Sequence, residues 1–274
     1  MSLLYRAARS ISRVVGPNSA IVSATRPLTE KMLRLVSGSH GLVWEINGIP
    51  CRIDPRYRAQ LARNYDAHLA TFLSSKVKPG HTCLDVGANI GAWVIQFSKL
   101  VGPGGKVYAF EPNPAAQAVL NEHIRLNDLA AIATVVPAAA GAVAGEVSFS
   151  AAGADGMSRI GEANPDLAAA STQITVPVVT LDAWCRDNGV VADWLFIDTE
   201  GFEGHVVAGA TEMIRNRGAA LGIVVEMHPS LWPSSGTNRE EVAARFAAAG
   251  RKPAALTGQA DLYVDYGHIL LEPE

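Results

Sequence analysis

From residue 82 onward the chain alternates short apolar runs with amphipathic stretches, in a repeating strand-then-helix order. Apolar runs bounded by turn residues predict buried strands over 82–86, 106–110, 133–138, 194–197 and 221–226. Between and after them, helical spacing predicts helices over 91–100, 114–126, 180–188, 203–215 and 238–249, the last with Thr237 and Glu240 at capping-box spacing. Alternation at these lengths implies parallel strands with helices on both faces. Ahead of this unit, Leu42–Ile46 and Ile49–Ile53 read as a hairpin turning at Asn47-Gly48. Leu61, Tyr65, Leu69 and Phe72 mark a helix over 57–73 that would cover a pocket mouth, and Lys78-Pro79-Gly80 is its stop signal. Strand-like pieces at 145–150 and 173–178 surround an Ala-, Gly- and Ser-rich stretch, 151–172, expected to be a mobile active-site loop. Its Arg159 is either a substrate contact or a solvated surface arginine. Residues 261–271 are expected to close the chain as an antiparallel hairpin near Tyr266-Gly267.

A chain of 274 residues is long enough to bury one substantial core. The expected division is an acceptor-side extension over 1–75 and a cofactor-binding domain over 76–274. Leu3, Leu4, Ala7, Ile11 and Val14 could share one helical face, beside Arg6, Arg9 and Arg13. That helix either packs on the domain or makes peripheral contact with an anionic membrane. No apolar stretch reaches the roughly 18 residues needed to span a bilayer. A formal charge of −3, with scattered basic residues, argues against nucleic acid as a partner. Cys51, Cys83 and Cys185 are odd in number and have no paired spacing, which points to a reducing, cytoplasmic setting rather than disulfides or zinc.

The chemistry gathers where strands end. Asp85-Val86-Gly87-Ala88-Asn89-Ile90-Gly91 turns sharply from a buried strand into a helix, and such a turn is a nucleotide-sized site. A dinucleotide fingerprint calls for glycine where Asn89 stands, and the carboxylate of Asp85 would repel a pyrophosphate and favour a cation. S-adenosylmethionine, with its sulfonium and no phosphate, is therefore favoured over a nicotinamide. Glu111, in Glu111-Pro112-Asn113 at the end of the next strand, can reach a ribose hydroxyl pair. The cofactor set is Asp85, Gly87, Ala88, Asn89, Gly91, Glu111, Pro112, Asn113, Ala138 and Asp198. A nicotinamide-dependent oxidoreductase and a non-catalytic cofactor-binding module are the competing readings.

Four of the five strand-end residues, Asp85, Glu111, Ala138, Asp198 and Glu226, are acidic. Such a concentration is costly unless a cation binds or the groups act as bases. Asp198, Glu200, Glu226 and His228 form the candidate catalytic set. His228 is the first choice of base for an acceptor hydroxyl. The alternatives are a magnesium-like metal held by Asp198, Glu226 or Glu200, and proximity alone. Glu203 reads as an acid in a first helical turn, favoured by the dipole.

These residues also carry a resemblance. Leu84 to Gly91, Phe110-Glu111-Pro112-Asn113, Val179-Thr180-Leu181-Asp182, Ile197-Asp198-Thr199-Glu200-Gly201-Phe202-Glu203 and Val225-Glu226-Met227-His228 together resemble the FkbM-type methyltransferases. The resemblance implies a Rossmann-like class I methyltransferase fold with a mostly parallel seven-stranded sheet, helices on both faces and a C-terminal antiparallel hairpin. It further implies S-adenosylmethionine as methyl donor and O-methylation of a sugar, glycolipid or secondary-metabolite hydroxyl, so the partner is a small-molecule or glycan acceptor. Phe196 stands where the family often has Lys, and Pro137-Ala138-Ala139 where it commonly has Asn, which leaves the adenine contacts open.

Overall fold

A computed structural model describes residues 32, 33, 35, 37–154, 158–160 and 171–274. The helix expected near the N-terminus and most of 151–172 lie outside the described residues. At the centre is a seven-stranded sheet. Five strands run parallel, in the order β11 (Gly222–Met227), β10 (Trp194–Ile197), β3 (Thr82–Val86), β4 (Lys106–Phe110) and β5 (Ala133–Val136). Beside β11 lies antiparallel β13 (Gly267–Pro273), and outside it the edge strand β12 (Arg251–Ala255). The chain first winds outward from β3 to β5, then returns to lay β10 against the other side of β3. A crevice therefore opens between the carboxyl ends of β3 and β10, where α/β sheets bind ligands.

The sheet strands are buried on both faces because helices cover both. Cys83, Val107, Ala109, Phe196 and Val224 face one apolar cluster, and Leu84, Phe110, Leu195, Ile223 and Val225 face the other, following the period of two along each strand. The first cluster includes α1 (Ala67–Lys76), α2 (Ala92–Val101), α3 (Pro114–Leu126) and the hairpin β1 (Leu42–Ile46) with β2 (Ile49–Ile53). Ile46, Cys51 and Ile53 of the hairpin are buried in this same core. The second cluster is covered by α4 (Leu181–Asn188), α5 (Glu203–Ala208), α6 (Thr211–Arg217) and α7 (Arg239–Ala248). A small separate sheet, in the order β6 (Ala139–Ala140), β9 (Thr172–Val179), β7 (Gly145–Ala151), β8 (Arg159–Ile160), sits beyond β5.

Several expected elements differ, each for a local reason. The helix expected over 57–73 begins only at Ala67. The backbone carbonyls that a longer helix would need are taken by the hairpin: Trp44 Nε1 donates to Leu61 O, Asn47 N to Arg63 O and Asn47 Nδ2 to Tyr65 O. Asp66, with φ at 43°, then starts the helix from a left-handed turn. The helix expected over 203–215 is split. A Cβ on Gly209 would lie 2.0 Å from the carbonyl oxygen of Gly141, and Asp182 caps the second piece by accepting from the amides of Glu212 and Met213. The strand expected over 133–138 stops at Val136, and Ala139–Ala140 joins the small sheet. The cap of α7 is Asn238 rather than Thr237, with Glu241 instead of Glu240 as its partner. In the terminal hairpin, β13 pairs with Arg251–Ala255; residues 261–265 instead form a turn in which Asp265 accepts from the amides of Ala260 and Asp261.

Candidate active site

At the end of β3 the chain passes through Gly87 and Gly91, both at positive φ, with Asn89 also left-handed at φ 45°. A Cβ on Gly87 would sit 1.6 Å from the carbonyl oxygen of Asp198. One on Gly91 would sit 2.5 Å from Leu120 Cδ1. Packing of the β3 exit on the β10 exit thus leaves no room for a side chain at Gly87, while Gly91 lies against Leu120 of α3.

Glu111 holds the loop in place. Its Oε2 accepts from the amide of Asn89 and its Oε1 from that of Asn113, each at 2.7 Å. Burial pushes its carboxyl up to about 7, although the two amide bonds oppose the shift. Asn113 is spent on structure: Oδ1 caps α3 through Ala115 N, and Nδ2 donates to Gly153 O. The side-chain oxygens Asn89 Oδ1 and Thr199 Oγ1 are buried with no hydrogen-bond partner among the described residues, and both residues line the cavity.

That cavity, of about 360 Å³, lies along the carboxyl ends of β3, β4 and β10. Of the expected cofactor set, Gly87, Ala88, Asn89, Glu111, Pro112, Asn113 and Asp198 line it. Asp85, Gly91 and Ala138 are not on its lining; Ala139 and Ala140 are. Asp85 is 1% exposed, and neither of its carboxylate oxygens has a hydrogen-bond partner among the described residues. Burial first, and then the charge of Glu111, push its carboxyl up to about 8. Near neutral pH it is uncharged, so it is not the source of an attraction for a cofactor cation.

Further carboxyl groups stand on the lining itself. Asp198, Glu200 and Glu226 line the cavity together with Asp66. Glu200 is left-handed at φ 49°, a costly conformation for a residue with a side chain. Behind this wall His228 is 8% exposed and off the lining. Its Nδ1 donates to Glu203 Oε1 at 2.8 Å, and its Nε2 lies 4.0, 3.9 and 3.8 Å from carboxylate oxygens of Asp198, Glu200 and Glu226.

Burial alone would lower the basicity of His228, but the bond to Glu203, with the charges of Glu203, Asp198 and Glu200, raises it to about 10. These surroundings favour the protonated imidazole over the free base expected from the sequence. Burial and the charge of Glu226 raise Asp198 well above the usual carboxylate range, and burial chiefly raises Glu200. Burial would raise Glu226 as well, yet His268, His228 and the Tyr266 hydroxyl hold it low.

Three participants were not expected from the sequence. Glu203, read as a helix-dipole acid, is fully buried, accepting from Gly201 N and His228 on Oε1 and from Trp232 Nε1 on Oε2. Tyr266 donates its hydroxyl to Glu226, and His268 Nε2 stands 3.3 Å from that carboxylate. The available signal was their position at the start of the terminal strand, across from Glu226-Met227-His228. Arg159, an open case in the sequence, is 7% exposed and lines the cavity.

Comparison with known proteins follows the same lines. Among solved structures, the chain is similar to a putative rRNA-methylase from Clostridium thermocellum, at 12% identity and TM-score 0.48, covering 77% of this chain and 97% of that one. It is also similar to methyltransferase FkbM from Methylobacillus flagellatus KT, at 14% identity and TM-score 0.45 over 78% of this chain and 60% of that one. A third is Aeropyrum pernix fibrillarin in complex with S-adenosyl-L-methionine, at 14% identity and TM-score 0.43 over 84% and 82% of the two chains. No curated protein matches. The methyltransferase FkbM domain family matches residues 85–253, from the buried aspartate before the glycine loop into β12. With that match the nicotinamide reading falls away: the chain belongs to the FkbM methyltransferase family and is an S-adenosylmethionine-dependent methyltransferase.

Proposed function

We propose that the enzyme methylates a hydroxyl of a polar acceptor, a sugar, glycolipid or secondary metabolite, with Glu200 taking the hydroxyl proton. The observation that carries this reading is the position of Glu200: on the cavity lining, in a left-handed backbone, with its proton affinity raised. A base needs reach and proton affinity; Glu200 is on the lining, and burial raises its carboxyl above the ordinary carboxylate range. His228 stands behind the lining, with its Nδ1 committed to Glu203.

The residues present fit the cofactor. Glu111 keeps free lone pairs for a ribose, Asn89 Oδ1 and Thr199 Oγ1 await donors, and the carboxylate wall suits a cation. When bound, S-adenosylmethionine supplies a methyl group activated for displacement by an oxygen. The protein's part is positioning and proton removal. Asp198 and Glu226 are placed to accept from further acceptor hydroxyls, and Tyr65 and Tyr266 provide aromatic walls. Such a mixture of carboxylates and rings suits a polyhydroxylated acceptor.

Among the described residues no helix is long and apolar enough to cross a membrane. Cys51, Cys83 and Cys185 are all free and buried, in keeping with a reducing cytoplasm. The test is a panel of sugars, polyols and hydroxylated metabolites, with release of S-adenosylhomocysteine and the position of the new methyl group as readouts. Products methylated on oxygen support the reading; transfer confined to amines or RNA overturns it.

A further inference from the structure

We infer that the acidic wall is a metal centre: one divalent ion of the manganese type, held by Asp198, Glu226 and His228, with Glu203 as the positioning residue behind the histidine. This rests on the cavity being the acceptor side of the methyl-transfer site, and it names a resident cation there.

One ligand atom from each of the three side chains lies within 4.8 Å of the others. The distances from His228 Nε2 to the carboxylate oxygens, 3.8 Å for Glu226 and 4.0 Å for Asp198, are too long for hydrogen bonds. They are not too long for a shared ion. Two atoms each about 2.1 Å from one ion stand at most about 4.2 Å apart. The two histidine-to-carboxylate spacings therefore fall between direct contact and the widest span a single cation can bridge.

The second observation is the imidazole itself. His228 is 8% exposed, its Nδ1 is committed to Glu203, and its Nε2 edge points at the carboxylates with none inside hydrogen-bond reach. A carboxylate can only accept, so Nδ1 carries the hydrogen. With Nδ1 held by Glu203, Nε2 faces the carboxylates, and an ion bound there would take the place of its proton, as in a metal-bound histidine oriented from behind. Glu203 cannot swing away, because its other oxygen accepts from Trp232 Nε1 at 2.9 Å.

Charge argues the same way. Carboxyl groups of Asp198, Glu200, Glu203 and Glu226 all stand within 4.0 Å of one imidazole, a gathering of acids that a shared cation would hold together. One nitrogen with two carboxylates is a mixed, borderline donor set, which suits manganese(II) better than an all-oxygen magnesium site. Asp198 and Glu226 line the cavity, so an ion there keeps positions open toward an acceptor. Such an ion would polarise the acceptor hydroxyl and ease loss of its proton to Glu200.

The test is manganese(II) chloride titrated into EDTA-stripped, full-length protein, followed by electron paramagnetic resonance of the free ion and by calorimetry. One ion per chain is expected. Uptake should vanish in H228A and in D198N, and E203Q should weaken it by about 10- to 100-fold. In each variant, an unchanged circular dichroism spectrum and a cooperative thermal melt report an intact fold, and D198N, altered at a partly exposed side chain, stands in if H228A does not fold. No uptake at millimolar manganese, or uptake indifferent to all three substitutions, overturns the inference. Hydroxyl methylation that persists undiminished in EDTA would overturn the metal while leaving the proposed reaction standing. Stoichiometric, substitution-sensitive uptake without hydroxyl methylation would uphold the metal and remove the reaction.

Discussion

Gly87 and Asp198 touch backbone to side-chain position: a Cβ on the glycine would fall 1.6 Å from the aspartate's carbonyl oxygen. The cofactor loop and the catalytic wall are therefore packed as one unit across the β3 and β10 exits. Gly80 has nearly the same φ, +88° against +90°, but nothing within 4 Å of its would-be Cβ. Gly80→Ala should cost only the left-handed penalty, about 1–2 kcal/mol. Gly87→Ala should cost about 3 kcal/mol or more and abolish binding of S-adenosylhomocysteine. Thermal melts of the two variants beside the parent check the difference; equal losses would refute the packing argument.

Glu111 sets a pH dependence on cofactor affinity. Its carboxyl, pushed up to about 7, is protonated below that pH and then accepts poorly from a ribose hydroxyl pair. Affinity for S-adenosylhomocysteine should be level above pH 8 and fall by up to about tenfold per unit below pH 7. Glu111→Gln should bind weakly and show a flat profile over the same range. Calorimetry at pH 6, 7 and 8 is sufficient.

Asp85 predicts a stability trend of a definite sign. Its carboxyl ionises near 3.8 ordinarily and near about 8 in the fold, so the folded state holds a proton that the unfolded chain gives up. The stability from that proton is full below about pH 4 and is lost as pH rises toward 8, at up to about 1.4 kcal/mol per unit. Asp85→Asn removes the dependence. The melting temperature of the variant relative to the parent should climb between pH 5 and 8; a constant gap would show that Asp85 is ionised in the fold.

Glu200 bears directly on turnover. Glu200→Gln should lower kcat by about 10²- to 10⁴-fold while leaving S-adenosylhomocysteine affinity within twofold. Steady-state kinetics and calorimetry on one preparation separate the two effects. A variant with parental kcat would pass the role of base to another group.

The strands of the central sheet were legible because they are buried on both faces and read as unbroken apolar runs, Trp194 to Ile197 most plainly. The stretch before Ala67 was not, because its helical spacing competes with Asn47 and Trp44, which claim its carbonyls from a distant hairpin. The same limit applies at the site. Asp198, Glu200, Glu226 and His228 could be picked out as strand-end polar residues, and they do converge. Glu203 could not be distinguished from an ordinary helix-start acid, since only burial against His228 and Trp232 sets it apart. Asp85 misled in the opposite direction: its charge was read from its residue type, whereas its surroundings keep it neutral.

The place of β13 in the sheet governs the order of assembly. It lies between β11 and β12, so the edge strand has nothing to pair with until residues 267–273 arrive. The same late segment brings His268 up to Glu226, just after Tyr266. A chain lacking that segment would leave its carboxylates uncovered and one sheet edge open, so the acidic wall is complete only once residues 266–273 are in place.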